Sequence, residues 1–176
     1  VYFTADWVPT GASTVNARIN VGKTRYNLAA AADFDGVTGS LTWAWRPTGL
    51  LSLTTGVSRD TGQDSGFLRL TDDSTVTGTD FSQVTDRLFV QAGYELTAKI
   101  SLTAALDYSR RDLVDGFTGA TGNDKTTTFS LAARWAATRT ISFGCNARLE
   151  SRSASGIGSN TYDNDRVSCV GQVTID

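Results

Sequence analysis

Methionine and histidine are absent from this 176-residue chain, and it contains only two prolines and two cysteines. Each scarcity excludes something. A chain that begins at Val1 and has no Met reads as a processed or truncated product, with any export signal upstream. Without His, no nucleophile stands beside a base among these residues; the chain is not expected to be an enzyme. Two Cys with no His and no adjoining carboxylate cluster do not make a metal site. The glycines are scattered and form no phosphate cradle, so no cofactor is expected. No apolar run approaches the ~20 residues of a spanning helix. The net charge of −2 is small, and no nucleic-acid partner is expected.

What the chain does have is period-two alternation, repeated along its length. Ile100, Leu102, Ala104, Leu106 and Tyr108 alternate with Ser101, Thr103, Ala105, Asp107 and Ser109. The same pattern runs through Val1–Trp7, Val15–Val21, Val37–Trp45, Leu51–Val57, Leu88–Leu96, Phe129–Trp135, Ile141–Leu149 and Val167–Ile175, which makes nine strands. Connections alternate between short and long. The short ones repeat a pattern: Trp7-Val8-Pro9-Thr10, Trp45-Arg46-Pro47-Thr48, Tyr94-Glu95-Leu96-Thr97 and Trp135-Ala136-Ala137-Thr138. Four residues after each Thr comes a hydroxyl (Thr14, Ser52, Ser101, Ser142) and then an apolar residue. Both prolines fall in these turns, where a missing N–H costs little. The long connections are polar, the longest expected over Asp60 to Asp86.

A soluble sandwich also alternates, but three features favour an antiparallel transmembrane β-barrel. An aromatic on the apolar parity adjoins every short turn, as in an interfacial girdle. The opposite parity is polar along the whole strand. The strands match the ~9–11 residues that cross a bilayer at a tilt, and short turns facing long loops are how outer-membrane barrels are built. These residues do not supply the Asp–His or Ser–His pair that outer-membrane barrel enzymes use, though residues upstream could.

Arg18, Arg46, Arg87, Arg111, Arg134, Arg148, Arg152 and Arg166 have the polar parity, which in a barrel lines the lumen. Only four carboxylates are read there, Asp6, Glu95, Asp107 and Glu150; the other acids crowd the long loops. An excess of arginine biases a pore towards anions. Lys23, Arg25, Arg59, Arg110 and Lys125 have outward parity near the long loops, a belt at the height of lipopolysaccharide phosphates. If the last hairpin turns at Gly156–Thr161, facing residues have numbers summing to about 314, as Cys145 and Cys169 do. A cross-strand disulfide is expected, consistent with an oxidising compartment.

The stretch from Trp43 to Phe67 contains Trp45-Arg46-Pro47-Thr48-Gly49 and Ser58-Arg59-Asp60-Thr61-Gly62-Gln63-Asp64-Ser65-Gly66. With the opening Tyr2-Phe3-Thr4-Ala5-Asp6-Trp7 and the closing Ser168-Cys169-Val170-Gly171-Gln172-Val173-Thr174, it resembles outer-membrane β-barrel porins encoded in bacterial exopolysaccharide operons. The resemblance covers most of the chain as the C-terminal half of a family member roughly twice as long. It implies a channel associated with polysaccharide secretion. The ending Thr174-Ile175-Asp176 departs from the terminal aromatic of many outer-membrane barrels.

The resulting expectation is a bacterial outer-membrane channel, anion-preferring and associated with an acidic polysaccharide. The alternative is a structural or surface-interaction barrel with a plugged lumen and acidic outer loops. With short turns periplasmic, nine strands put Val1 outside and Asp176 inside. The first and last strands are therefore expected not to pair with each other, each edge being filled by absent N-terminal strands or a second chain.

Overall fold

The structure is a computed structural model that describes residues 1–24, 34–69, 76–115, 119–157 and 160–174. Its nine strands are β1 (Tyr2–Thr10), β2 (Ser13–Thr24), β3 (Phe34–Trp45), β4 (Leu51–Arg69), β5 (Val76–Thr97), β6 (Ile100–Asp115), β7 (Thr121–Ala136), β8 (Ile141–Gly156) and β9 (Tyr162–Val173). They form one antiparallel sheet in strict chain order from β1 to β9. The two outer strands, β1 and β9, make no contact with each other.

The short turns explain the repeated Thr. Thr48 Oγ1 accepts hydrogen bonds from the N–H groups of Leu50 and Leu51; Thr97 does the same for Lys99 and Ile100, and Thr138 for Thr140 and Ile141. Each hydroxyl satisfies two backbone donors that a bare turn would leave to water. Neighbouring turns are also tied together, Arg46 N–H donating to Ala12, Glu95 to Leu50 and Ala136 to Lys99.

The register carries a regular stagger. Trp7 lies level with Trp43, but the aromatic at the β3 turn is Trp45, two residues on. Trp45 is level with Ala92 while Tyr94 is two residues on, and Tyr94 is level with Ala133 while Trp135 is two on. The girdle thus advances one residue per strand. At a rise of ~3.3 Å per residue and a spacing of ~4.8 Å, this inclines the strands by about 35°, the tilt at which barrels close.

No apolar side chain is buried among the described residues; Ser13, Asp115 and Asp124 are the buried polar ones. Exposure is inverted relative to a soluble sheet. Along β7, Thr126, Thr128 and Ser130 are half-buried while Phe129 and Leu131 are exposed, and in β6 Asp107 and Ser109 are more covered than Leu106 and Tyr108. No second layer covers either face, so the asymmetry reflects curl: polar side chains converge on the concave side and apolar ones splay outward.

One expectation is corrected here. The segment between Asp60 and Asp86 is not a long loop, since β4 runs to Arg69 and β5 starts at Val76, paired residue for residue from Asp60↔Thr85 to Arg69↔Val76. The hairpin continues past the apolar zone. The pairing persists there without the strict alternation that signals a strand in the sequence.

Candidate functional site

The concave polar face is the candidate site. Register places Arg18, Arg87, Arg111, Arg134, Arg148, Arg152 and Arg166 on it, as their parity suggested. Arg46 follows the last residue of β3 and sits in the turn at the rim, where it shares a hollow with Glu95. Three carboxylates join Asp6, Glu95, Asp107 and Glu150 on this face, among them Asp60, level with Thr85, and Asp124, level with Arg111. Asp115, buried at the end of β6, has the same parity, so seven strand arginines face seven carboxylates among the described side chains, and the excess expected from the sequence is gone.

Many of these charges are spent on each other. Arg87 holds Asp107 through two nitrogens, with Nε at 2.7 Å, and its guanidinium lies 5.7 Å from the Phe89 ring centroid. Asp124, only 5% exposed, takes Arg111 at 2.7 Å and also Arg152. Glu150 gathers Arg148 Nη2 at 2.5 Å, the Tyr162 hydroxyl at 2.5 Å and Thr128 at 3.4 Å. The Arg152 guanidinium lies 5.9 Å from the Tyr162 ring centroid, so the two carboxylate nodes share one network. Sequence reading put Asp124 in a loop. Its even numbering, shared with Thr126, Thr128 and Ser130, was the signal that it points inward.

Arg18, Arg134 and Arg166 have no carboxylate partner among the described residues. Arg18 stands in a hollow of about 550 Å³ with Tyr2, Asp6, Asn16 and Thr42. Arg166 lies directly across from Arg148.

On the apolar face, Leu41, Trp43, Leu102, Leu106, Leu131 and Phe143 share one side of the sheet. Trp43 stacks on Trp45 and Trp135 on Phe143, each with centroids 5.7 Å apart. Arg59, Arg110 and Lys125 lie in one register row with Asp86. The row is mixed in sign: Arg59 pairs with Asp86 at 3.6 Å and Arg110 with Asp112 at 3.3 Å, and Asn123 donates to Asp112. Asp112 had been expected in a loop. Arg25 and the Lys23 side chain lie outside the described residues; Lys23 itself is level with Asp35. Cys145 and Cys169 are register partners and are bonded, with Cα atoms 4.1 Å apart. Among the described residues no group of His, Cys, Asp and Glu could hold a metal.

Comparison with known proteins fits this geometry. No curated protein matches the chain. The family described as "Putative beta-barrel porin 2" matches residues 13–173, nearly the whole sheet. The chain belongs to that family, and its sheet is a stretch of porin barrel wall.

Proposed function

We propose that this wall lines an open, anion-preferring channel in the bacterial outer membrane, associated with export of an acidic polysaccharide, and that it performs no catalysis. The inverted exposure carries the reading, because polar side chains shielded on the concave side and apolar ones turned outward suit a water-filled lumen surrounded by lipid. Membership of a porin family supports both the channel and its outer-membrane location. The anion preference rests on Arg18, Arg134 and Arg166, since arginines already paired with carboxylates add little net field.

Two edges remain to be filled. An unpaired strand edge in lipid costs several kcal/mol for each unsatisfied backbone group, so β1 and β9 must pair with further polypeptide, either other strands of the same protein or a second copy. On the outer face, Arg59, Arg110 and Lys125 would meet lipopolysaccharide phosphates. Lys125, the one without an acidic partner among the described residues, would do so most directly.

A second reading is a plugged barrel that binds something outside. It draws on the β4–β5 hairpin, which extends ten residue pairs beyond the Arg59–Asp86 row. Conductance of the full-length protein in planar bilayers separates the two. The channel predicts stable open currents and, in a salt gradient, a reversal potential of the anion-selective sign. No current would favour the plugged barrel, and cation selectivity would overturn the anion preference.

A further inference from the structure

On the polar face near the short turns, a hollow of about 320 Å³ opens above Gly144. Small residues on adjacent strands, Ala132 in β7 and its diagonal neighbour Gly144 in β8, line it. A Cβ built on Gly144 would meet only the Ala133 carbonyl oxygen, 3.9 Å away, so the hollow exists because this position has no side chain. Arg134 stands beside it, level with Gly144, exposed and without a carboxylate partner among the described residues. Along its register row the first acidic side chain is Glu95, two strands away through Ser101, roughly 10 Å at ordinary strand spacing. The remaining lining on this face is neutral: one apolar side chain, Val170, level with Gly144, and otherwise the hydrogen-bonding groups of Ser101, Thr103, Ser142, Asn146, Ser168 and Gln172.

This combination differs from the rest of the wall. Arg87, Arg111, Arg148 and Arg152 are held by carboxylates, and of the other two unheld arginines Arg18 shares its hollow with Asp6 while Arg166 lies across from Arg148. Here one guanidinium, an always-charged fork matched to a carboxylate, is surrounded by hydroxyls and amides that can both donate and accept. A ligand complementary to it has one carboxylate and several hydroxyls on a compact ring. We propose that the hollow is a subsite for a uronic acid residue, with Arg134 taking the carboxylate and the hydroxyl and amide side chains taking the ring hydroxyls. This deepens the channel reading and rests on it for physiological meaning; the site itself can be tested whether or not current flows.

The test uses the full-length protein in nanodiscs, titrated calorimetrically with glucuronate, with glucose and with inorganic phosphate. Glucuronate should bind more tightly than either of the others. Arg134→Gln should weaken it roughly ten-fold, the scale of one lost charged hydrogen bond. Gly144→Val, whose Cβ meets backbone only at the ordinary contact distance of 3.9 Å, occupies part of the hollow and should weaken glucuronate binding while keeping Arg134. Absence of any glucuronate preference over glucose would overturn the proposal, as would retained affinity in both variants. Equal binding of phosphate would overturn the sugar part and leave a general anion site. If glucuronate binds as expected but bilayers show no current, the channel reading fails and the subsite stands; anion-selective current without glucuronate binding gives the reverse.

Discussion

The two ends of the same polar face, the one beside the Thr-bearing short turns and the one opposite, handle charge in opposite ways. Towards the β6–β7 and β8–β9 connections, which at five residues each are not the long loops expected, Arg111, Asp124, Arg152, Tyr162, Glu150 and Arg148 form a connected lattice in which the carboxylates are shared between strands. Towards the short turns, Arg134 stands among hydroxyls and amides with no carboxylate holding it. The lattice spans β6 to β9 and braces the wall where no other layer supports it, whereas the free guanidinium braces nothing and is available to a solute. Equal numbers of charges can therefore mean rigidity in one place and recognition in another, and a count of arginines on the lumen side cannot tell the two apart.

The largest expected effect sharpens the contrast between faces. Leu106→Arg would put a cation mid-strand on the lipid side at a cost of ~2–4 kcal/mol. Ala105→Arg, its neighbour on the polar face beside Asp107, should change stability little. Urea midpoints of the folded barrel, read by heat-modifiable gel mobility, check both, and equal losses would undo the assignment of faces. Next is Asp124→Ala, which leaves Arg111 and Arg152 confronting each other across β7. A loss of about 2–3 kcal/mol is expected, below that of a fully buried pair because Arg111 is a third exposed. Arg134→Gln, measured the same way, should be near neutral; a comparable loss would break the division into bracing and free charges.

Smaller effects test the rim. Thr138→Ala frees the N–H groups of Thr140 and Ile141 and should cost about 1 kcal/mol, with Thr138→Ser retaining most of it. Smallest is Arg59→Ala. Its partner Asp86 lies 3.6 Å away and both are about half exposed, so the change should stay within ~1 kcal/mol. Any marked change in that variant's binding to lipopolysaccharide would then report on lipid contact and not on folding.

Much of the architecture was legible because a bilayer imposes strict alternation. Where lipid covers one side, as from Ile100 to Tyr108, parity alone put each side chain on the right face. The pairing of Cys145 with Cys169 followed from hairpin arithmetic in the same way. Legibility failed above the apolar zone. There the extended β4–β5 hairpin, and the stretch containing Asn123, Asp124 and Lys125, are rich in Thr, Ser, Gly and Asp and look like loop in the sequence. The charge lattice was missed for that reason, and no pattern within a single strand could show which arginines another strand's carboxylate would neutralise.

The bond between Cys145 and Cys169 joins two positions on the outward apolar face, level with Leu102 and Ala133. Thiol–disulfide exchange proceeds through a thiolate, and a thiolate is penalised where water is excluded. In the outer-membrane placement proposed above, the bond is therefore expected to close while the hairpin is still in water, before lipid surrounds it. Once inserted, it is sheltered from soluble reductants. On that placement the β8–β9 hairpin has an order of events: its strands acquire their alignment first and their solvent second, and this corner of the wall enters the barrel with its register already locked.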